Sequence, residues 1–361
     1  MLCKTFTALS VLAAATAVAA TETHDGIEYE IRWEANGAAE TAAIKTSYEK
    51  AAAEEAYTRI QSAVNSETNT QGIGKTCLTS VESEAEPEKL YKLKECLIAE
   101  AGDDIFFDLL ADDITESDAF WAKVIAESTT DRTQWIPARQ YAKAYFNGNL
   151  TATAFALFEA SSSADAGNLR ANAEHYYKKS DIRADLSQSS NIFEGWGGVL
   201  SSFGTKRTNF TVPDFQVPTF GTDEYPSAWA IDSAFPNALQ RVGEKKLVTG
   251  EAAGQTFGVL HISVRDFTDA KGSGIEIYSA VWYAPWDKAS DADKTEFSEN
   301  YVRDEAHHMV VEVVNLTLEA AGLQIGVAMK SGIYKVEDPE LIHRKFSRES
   351  QHHVEGYGWM L

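Results

Sequence analysis

Glutamate–histidine pairs near the C-terminal end are the residues whose types and spacing best fit a chemical role. Three of the eight histidines follow a glutamate by three positions, and all three lie beyond residue 300. On a helix this spacing places carboxylate and imidazole on one face, where both can bind a single metal ion. Such oxygen and nitrogen donors suit zinc, iron or manganese. The pairs are Glu305 with His308, Glu340 with His343, and Glu349 with His352.

The first pair belongs to a longer polar stripe in a helix predicted over residues 304–321. Its members repeat at helical spacing among aliphatic residues: Glu305, His308, Glu312, Asn315 and Glu319. The stripe predicts metal ligands at Glu305, His308 and Glu312, and a second pair must then come from Glu340 and His343 or from Glu349 and His352. The alternative is that the stripe is the solvated face of an amphipathic helix. Asn315 favours this alternative, because it begins a glycosylation sequon and a glycan must face solvent.

A β-hairpin over residues 256–283 is the element with the clearest pattern. Two alternating runs flank a glycine-containing turn, and pairing Arg265 with Glu276 places one face apolar and the other polar. His261, Tyr278 and Trp282 project from the polar face with that ion pair. A long aromatic segment containing Trp229 is expected to lie over this sheet.

This face predicts a binding site for a small ligand, with rings for stacking and charges for orientation. The candidate ligand-binding residues are His261, Arg265, Glu276, Tyr278, Trp282 and Trp229. The alternative is a half-exposed face with a structural ion pair. His261 beside Ser263 lacks an assigned acid, so nucleophilic catalysis is not indicated.

The N-terminal residues resemble those of secreted proteins. Residues 1–20 contain Lys4, a short apolar core and a small-residue cleavage site, which together predict a signal peptide. We therefore expect an extracellular or cell-surface location and no transmembrane segment after cleavage. In that oxidising environment Cys77 and Cys96 are expected to form a disulfide. Sequons at Asn149, Asn209 and Asn315 predict a glycoprotein.

The net charge of −22 disfavours nucleic acid as a partner, because nucleic-acid binding requires cationic surface. Acidity permits cation binding and equally promotes solubility. A small molecule or an extracellular surface partner is the expected partner class.

The pattern predicts a mainly helical region over residues 21–182 and an α+β region over 183–361. A strand is expected at 27–33. Helices are expected at 38–64, 86–101, 116–127, 140–146, 151–160 and 168–179, and a short strand at 323–328. The fold class is therefore α+β, a helical N-terminal region followed by a mixed region with an antiparallel sheet.

Two functions follow from these patterns. The first is a secreted acidic glycoprotein that binds a small ligand or surface partner through the aromatic segment and sheet face. The alternative is a metal-binding protein or metal-dependent hydrolase that uses the Glu-x-x-His pairs. The sequence leaves open whether the protein is an enzyme.

Overall fold

The computed structural model describes residues 20–24, 27–35, 38–40, 45–145, 150–159, 161, 163–182, 188–207, 223, 226–229, 238–270 and 272–330. Several predictions from the sequence concern residues outside these ranges: the signal peptide up to residue 19, the sequons at Asn149 and Asn209, and the C-terminal pairs containing Glu340, His343, Glu349 and His352.

An antiparallel sheet of ten strands forms the centre of the described structure. The strands are β1 (Ala20–His24), β2 (Ile27–Ala35), β3 (Ala38–Glu40), β4 (Ile136–Tyr145), β5 (His175–Ile182), β6 (Gln188–Trp196), β7 (Val199–Arg207), β8 (Leu239–Leu247), β9 (Thr256–Thr268) and β10 (Ser273–Tyr283). Their order across the sheet is β1-β2-β4-β10-β9-β8-β7-β6-β5, and β3 pairs with β2.

Helices precede, interrupt and follow these strands. They are α1 (Lys45–Asn65), α2 (Lys75–Ser80), α3 (Glu88–Ala101), α4 (Ile105–Leu109), α5 (Ala111–Glu127), α6 (Ala152–Glu159), α7 (Ser163–Ala171), α8 (Asp291–Glu296) and α9 (Arg303–Lys330). A turn of π-helix over Phe297–Val302 joins α8 to α9.

Three groups of buried apolar side chains stabilise this arrangement. The largest lies between one face of the sheet and helices α5, α6 and α9. A second joins α1–α5 to the strands β5–β7. A smaller group, rich in tryptophan, lies on the other face of β8–β10. Burial of apolar surface is the main favourable term in folding, so α9 is anchored by the apolar residues on both sides of its polar stripe.

The α+β class predicted from the sequence is confirmed. The predicted boundary after residue 182 nevertheless falls inside the sheet, because β5 on one side of it pairs with β6 on the other. Strand β4 likewise pairs with β10, and β2 pairs with β4. Helical and mixed regions therefore share one sheet.

The hairpin of β9 and β10 has the predicted register, with Arg265 opposite Glu276, Ser263 opposite Tyr278 and His261 opposite Ala280. The predicted disulfide is also present, and Cys77 and Cys96 join α2 to α3. Among the described helices, none combines the length and the apolar character needed to cross a bilayer.

The helix predicted at 140–146 is wrong, because this segment lies in β4. Alternate residues of β4 are buried, including Ala138, Gln140, Ala142 and Ala144. Alanine favours helices in isolation, but here its small side chain lets α9 approach the sheet closely. The sequence did not reveal the two-residue period of burial in β4, because alanine is a residue that favours helices.

Other boundaries also differ from the prediction. The helix expected at 168–179 ends at Ala171, and His175 begins a strand. The strand expected at 323–328 is the continuation of α9 to Lys330, because Gly322 does not end the helix. Helix α5 begins at Ala111, earlier than the expected start at 116, and α1 begins at Lys45, later than 38.

Candidate metal centre

The polar stripe of α9 faces the interior of the protein. Glu305 and His308 are each 1% exposed, so the interpretation of this stripe as a solvated face is wrong. The stripe packs against α7, the turn after it, and strands β5, β6 and β8. The apolar residues flanking the stripe are buried as well, which places α9 between two layers rather than on the surface.

The turn between α7 and β5 supplies the surface that α9 meets. Lys94 of α3 is buried, and its Nζ donates hydrogen bonds to the carbonyls of Asn172 and His175 at 2.9 and 2.7 Å. The side chain of Asn172 donates to the carbonyl of His308 at 3.1 Å. Burial lowers the pKa of Lys94 to about 7, so its amine is only partly charged at neutral pH. The hydrogen bonds from this amine to backbone carbonyls fix the path of the turn, and with it the position of the His175 ring.

Two buried imidazoles meet at this interface. His175 Nε2 lies 2.9 Å from His308 Nε2, and both side chains are essentially inaccessible to solvent. The other ring nitrogens have separate partners. His308 Nδ1 lies 3.0 Å from Glu174 Oε2, and His175 Nδ1 lies 3.0 Å from the carbonyl oxygen of Asn168.

These partners determine which nitrogen of each ring carries a proton. A carboxylate and a carbonyl accept hydrogen bonds, which assigns both Nδ1 atoms as donors, although Asn172 Nδ2 also lies 3.3 Å from His308 Nδ1. When both rings are neutral the two Nε2 atoms then present lone pairs to each other, whereas Nε2 of a protonated His308 donates to His175 Nε2. Lone pairs at 2.9 Å repel unless a positive centre, either a proton or a metal ion, lies between them. An imidazole that donates Nδ1–H to a carboxylate or carbonyl is also the usual state of a metal-binding histidine.

Carboxylates complete a donor set around the two rings. Ligand atoms of His175, His308 and Glu312 all lie within 4.8 Å of one another. Asn168 Nδ2 donates to Glu312 Oε1 at 3.0 Å, which orients that carboxylate. Glu194 Oε2 lies 3.2 Å from His175 Nε2 and offers a fourth donor.

A buried lysine neutralises the carboxylates on one side of this group. Lys245 Nζ lies 3.2 Å from Glu194 Oε1 and 3.1 Å from Glu305 Oε1. Its ammonium also lies 4.2 Å from the centroid of the Trp196 ring. Glu305, expected to be a metal ligand, is therefore an ion-pair partner of Lys245, while His308 and Glu312 of the same helix point to the donor set.

Burial and charge oppose each other across this cluster. Burial disfavours ionisation of Glu194, but the charges of Lys245, His175 and His308 outweigh it and lower its pKa to about 2. Burial disfavours protonation of His308, but its hydrogen bond and charge interaction with Glu174 prevail and raise its pKa to about 9. Burial lowers the pKa of His175 well below the ordinary value.

The remaining carboxylates lack sufficient positive charge. Burial is the largest cause of the raised pKa of Glu174, Glu305 and Glu312. At Glu312 the charges of His308 and Lys178 oppose this effect without overcoming it. A cation bound in the cluster would favour the ionised forms of these carboxylates.

Some polar atoms beside the cluster have no hydrogen-bond partner within the described part of the chain. They include Asn168 Oδ1, Trp196 Nε1 and Glu305 Oε2, all buried. Buried polar atoms are nearly always paired with protein, water or an ion. Each of these three atoms therefore requires a further partner, such as water or an ion.

The sequon at Asn315 is not compatible with a glycan at its observed position. Asn315 is 8% exposed, and its Nδ2 donates to Glu49 Oε1 at 2.8 Å and to the Ala171 carbonyl at 2.7 Å. A glycan is attached through this same nitrogen. The predicted glycosylation at Asn315 is therefore wrong, because the residue links α9 to α1 and α7.

The residues predicted to bind a ligand at the hairpin do lie together, but they pack against one another and are largely buried. Trp229 stacks on Trp282 with ring centroids 5.0 Å apart, and both are buried. His261 is buried next to them and lies 3.1 Å from Gln240 Oε1, while burial lowers its pKa to about 4. Of the aromatic segment that was expected to lie over the sheet, residues 226–229 are described, and Trp229 packs against this face.

The charged members of that face form a structural network. Arg265 pairs with Glu276, as predicted, and Tyr141 of the neighbouring strand also donates to Glu276. Tyr278 packs against the tryptophan group. These contacts place the six residues in the interior or at its margin, where little surface remains for a ligand.

Several members of the metal cluster were not identified from the sequence. His175 and Glu174 were assigned to a helix, and Glu194 and Lys245 were not singled out. The sequence of β5 shows no alternation of polar and apolar residues, so it carries no local signal that places the His175 side chain on a sheet face. The pairing of His175 with His308 spans 133 positions, and no local spacing reports a contact of that range.

Comparison with protein-family models and with curated proteins finds no match to this chain.

Proposed function

We propose that this protein is a metalloprotein that binds a divalent transition metal ion between α9 and the start of β5. The observation that supports this proposal most strongly is the distance of 2.9 Å between His175 Nε2 and His308 Nε2. The other nitrogen of each ring faces a hydrogen-bond acceptor. Glu312 supplies a carboxylate, and Glu194 lies within reach as a further ligand.

The donor types define the class of metal. Two imidazoles with one or two carboxylates suit Zn²⁺, Fe²⁺ or Mn²⁺ and leave coordination positions for water or another ligand. Calcium and magnesium prefer oxygen ligands alone. The outer contacts also fit, since Glu174 and the Asn168 carbonyl orient the rings, and Tyr48 donates to Glu174 Oε2 at 3.1 Å.

The helical N-terminal region has a structural role in this proposal. Tyr48 of α1 and Lys94 of α3 both reach the turn that carries Glu174 and His175. The region therefore positions the ligands of the centre. Binding of a small ligand at the hairpin face stays a prediction, and its buried rings favour the metal centre as the primary function.

An extracellular location forms part of the proposal. The disulfide between Cys77 and Cys96 is compatible with an oxidising compartment, and the N-terminal sequence has the composition of a signal peptide. Sequons at Asn149 and Asn209 support a glycoprotein.

Cobalt titration tests the centre directly. The protein is stripped with a chelator and titrated with Co²⁺, and the visible absorption bands of bound Co²⁺ are followed. One equivalent is expected to bind. His175→Gln and His308→Gln should each weaken binding by more than about 100-fold, because even the outer partners of a ligand are worth roughly 10–100-fold.

His307→Gln is the matched control, since this neighbouring histidine contacts Asp304 and Tyr48 outside the donor set. Circular dichroism establishes that each variant is folded. Absence of a Co²⁺ spectrum in the wild-type protein, or equal weakening by His307→Gln, would contradict the proposal.

A further inference from the structure

A carboxylate lies beside the disulfide that joins α2 to α3. Cys77, Cys96 and Glu100 each offer a ligand atom, and these three atoms all lie within 4.8 Å of one another. Cys96 and Glu100 are four residues apart in α3, a spacing that places both side chains on one face of the helix. Cys77 reaches the same place from α2. Two separate helices therefore bring two sulfurs and a carboxylate oxygen together.

An oxygen of Glu100 lies against a sulfur that has no proton to donate. Glu100 Oε2 is 3.3 Å from Cys77 Sγ, and a sulfur in a disulfide carries no hydrogen. A thiol at this position would donate to the oxygen, and a metal ion between the two atoms would bind both. With bonds of about 2.3 Å to sulfur and about 2.1 Å to oxygen, a tetrahedral zinc ion places these ligand atoms about 3.6 Å apart. The observed separation is close to that value.

The position of the carboxylate is fixed by backbone that packing holds in place. The N–H of Gly74 donates to Glu100 Oε1 at 3.2 Å. Gly74 has a φ of 83°, and a Cβ there would lie 2.5 Å from Leu97 and 3.0 Å from Val64, both of which are fully buried. The start of α2 is thus held against α1 and α3 by apolar contacts as well as by the disulfide. We therefore expect the three ligand atoms to stay close when the bond between the sulfurs is broken.

The group is open to solvent on one side. Cys77 is 1% exposed, but Cys96 is only partly buried and Glu100 is exposed. A reductant can therefore reach the disulfide at Cys96, and a bound metal ion can keep water as its fourth ligand.

We propose that Cys77, Cys96 and Glu100 form a second metal site, which binds Zn²⁺ or a similar thiolate-preferring ion once the disulfide is reduced. A thiol reductant supplies two electrons and two protons, which convert the disulfide to two cysteine thiols, and the reductant itself becomes a disulfide. The metal ion then displaces one proton from each thiol and binds both thiolates and the carboxylate. Thiolates suit zinc, whereas calcium and magnesium prefer oxygen ligands.

This site is independent of the centre at His175 and His308, with which it shares no residue. The redox state of the two cysteines controls it, because a disulfide cannot supply thiolate ligands. The oxidised protein therefore binds metal only at the histidine centre, and the reduced protein binds a second ion.

Cobalt absorption tests the site, because a sulfur–cobalt bond gives an intense near-ultraviolet charge-transfer band that distinguishes it from nitrogen and oxygen ligands. The protein is titrated with Co²⁺ before and after treatment with a phosphine, which reduces disulfides without adding a thiol. We expect no sulfur–cobalt band in the oxidised protein. After reduction the band should appear and reach its maximum with one Co²⁺ bound at this site.

Variants of α3 identify the ligands. Glu100→Gln should weaken the Co²⁺ binding that gives this band by more than about tenfold, because even the outer partners of a ligand are worth roughly 10–100-fold. Cys96→Ser removes a sulfur and should weaken it by more than about 100-fold. Glu88→Gln is the matched control, since this exposed glutamate of the same helix contacts Lys92 and should leave binding unchanged.

Circular dichroism of the reduced protein completes the test. A reduced, folded protein without a sulfur–cobalt band overturns the proposal. Equal binding by the Glu100→Gln and Glu88→Gln variants overturns the assignment of the carboxylate. Reduction that unfolds the protein, and that Co²⁺ does not reverse, also overturns the proposal, because a site held by folded α2 and α3 must stabilise them when the ion binds.

Discussion

Lys245→Met should destabilise the metal-free protein by about 3–5 kcal/mol, the range for removing one partner from a buried ion pair. The side chain of Lys245 is 4% exposed and lies within 3.2 Å of carboxylate oxygens of Glu194 and Glu305. At an effective dielectric constant of about 20, each contact corresponds to roughly 5 kcal/mol of attraction, which the desolvation of the charges partly offsets. Methionine leaves two buried carboxylates without their cation.

The pKa of Glu194 provides a second measure of the same effect. Its fall from the ordinary 4.5 to about 2, against the opposing influence of burial, corresponds to about 3 kcal/mol. Because the folded-state pKa is the lower one, this stabilisation is present above pH 4.5 and is lost as the pH falls towards 2. The deficit of Lys245→Met relative to wild type should therefore shrink in acid.

Urea unfolding followed by tryptophan fluorescence, at neutral pH and again in acid, measures both effects. Lys246→Met is the matched control, since its side chain is 49% exposed and pairs with Glu244 at the surface. The control should change stability by less than about 1 kcal/mol. A Lys245→Met protein as stable as the control, or a deficit that grows in acid, would refute this account of the buried charges.

Other positions give independent tests. Cys96→Ser, which opens the bridge to Cys77, should lower the free energy of unfolding by about 3 kcal/mol on a loop-entropy estimate, as measured in urea; an unchanged midpoint would contradict it. Gly274→Ala should prevent normal folding, since a Cβ there would lie 1.8 Å from a backbone oxygen of β4. Gly254→Ala adds a Cβ in open space and should lower the free energy of unfolding by only about 1–2 kcal/mol, because of its positive φ. Equal effects of the two variants in thermal unfolding would refute the comparison. Lys94→Met should weaken Co²⁺ binding about tenfold or more, because the turn before β5 loses the amine that donates to its carbonyls, and unaltered affinity in a folded variant would exclude this positioning role.

The sequence predicted best the features that local patterns determine. The register of β9 and β10 followed from alternation, because a shift by one residue would bury Arg265 and expose Val264. The stripe of α9 was also recognised from its helical period. In β4, by contrast, the alanines concealed a two-residue period, and only the approach of α9 to the sheet makes alanine the fitting residue there.

The direction in which α9 faces could not be read from the stripe itself. A polar stripe faces solvent in most amphipathic helices, and the Asn315 sequon supported that interpretation. Its partners come from elsewhere in the chain: Lys245 for Glu305, His175 for His308, and Asn168 for Glu312. A polar stripe is stable in the interior when each of its side chains has a polar partner. Because these partners are distant in sequence, the spacing of residues within the helix does not indicate them.

Anomalous diffraction from crystals grown with Zn²⁺ would locate the proposed metal ion. We expect one strong peak at the zinc absorption edge, within about 2.0–2.2 Å of His175 Nε2, His308 Nε2 and an oxygen of Glu312 after small adjustments of the side chains. A cluster without a peak, or a peak confined to histidines outside the donor set such as His307, would contradict the proposal.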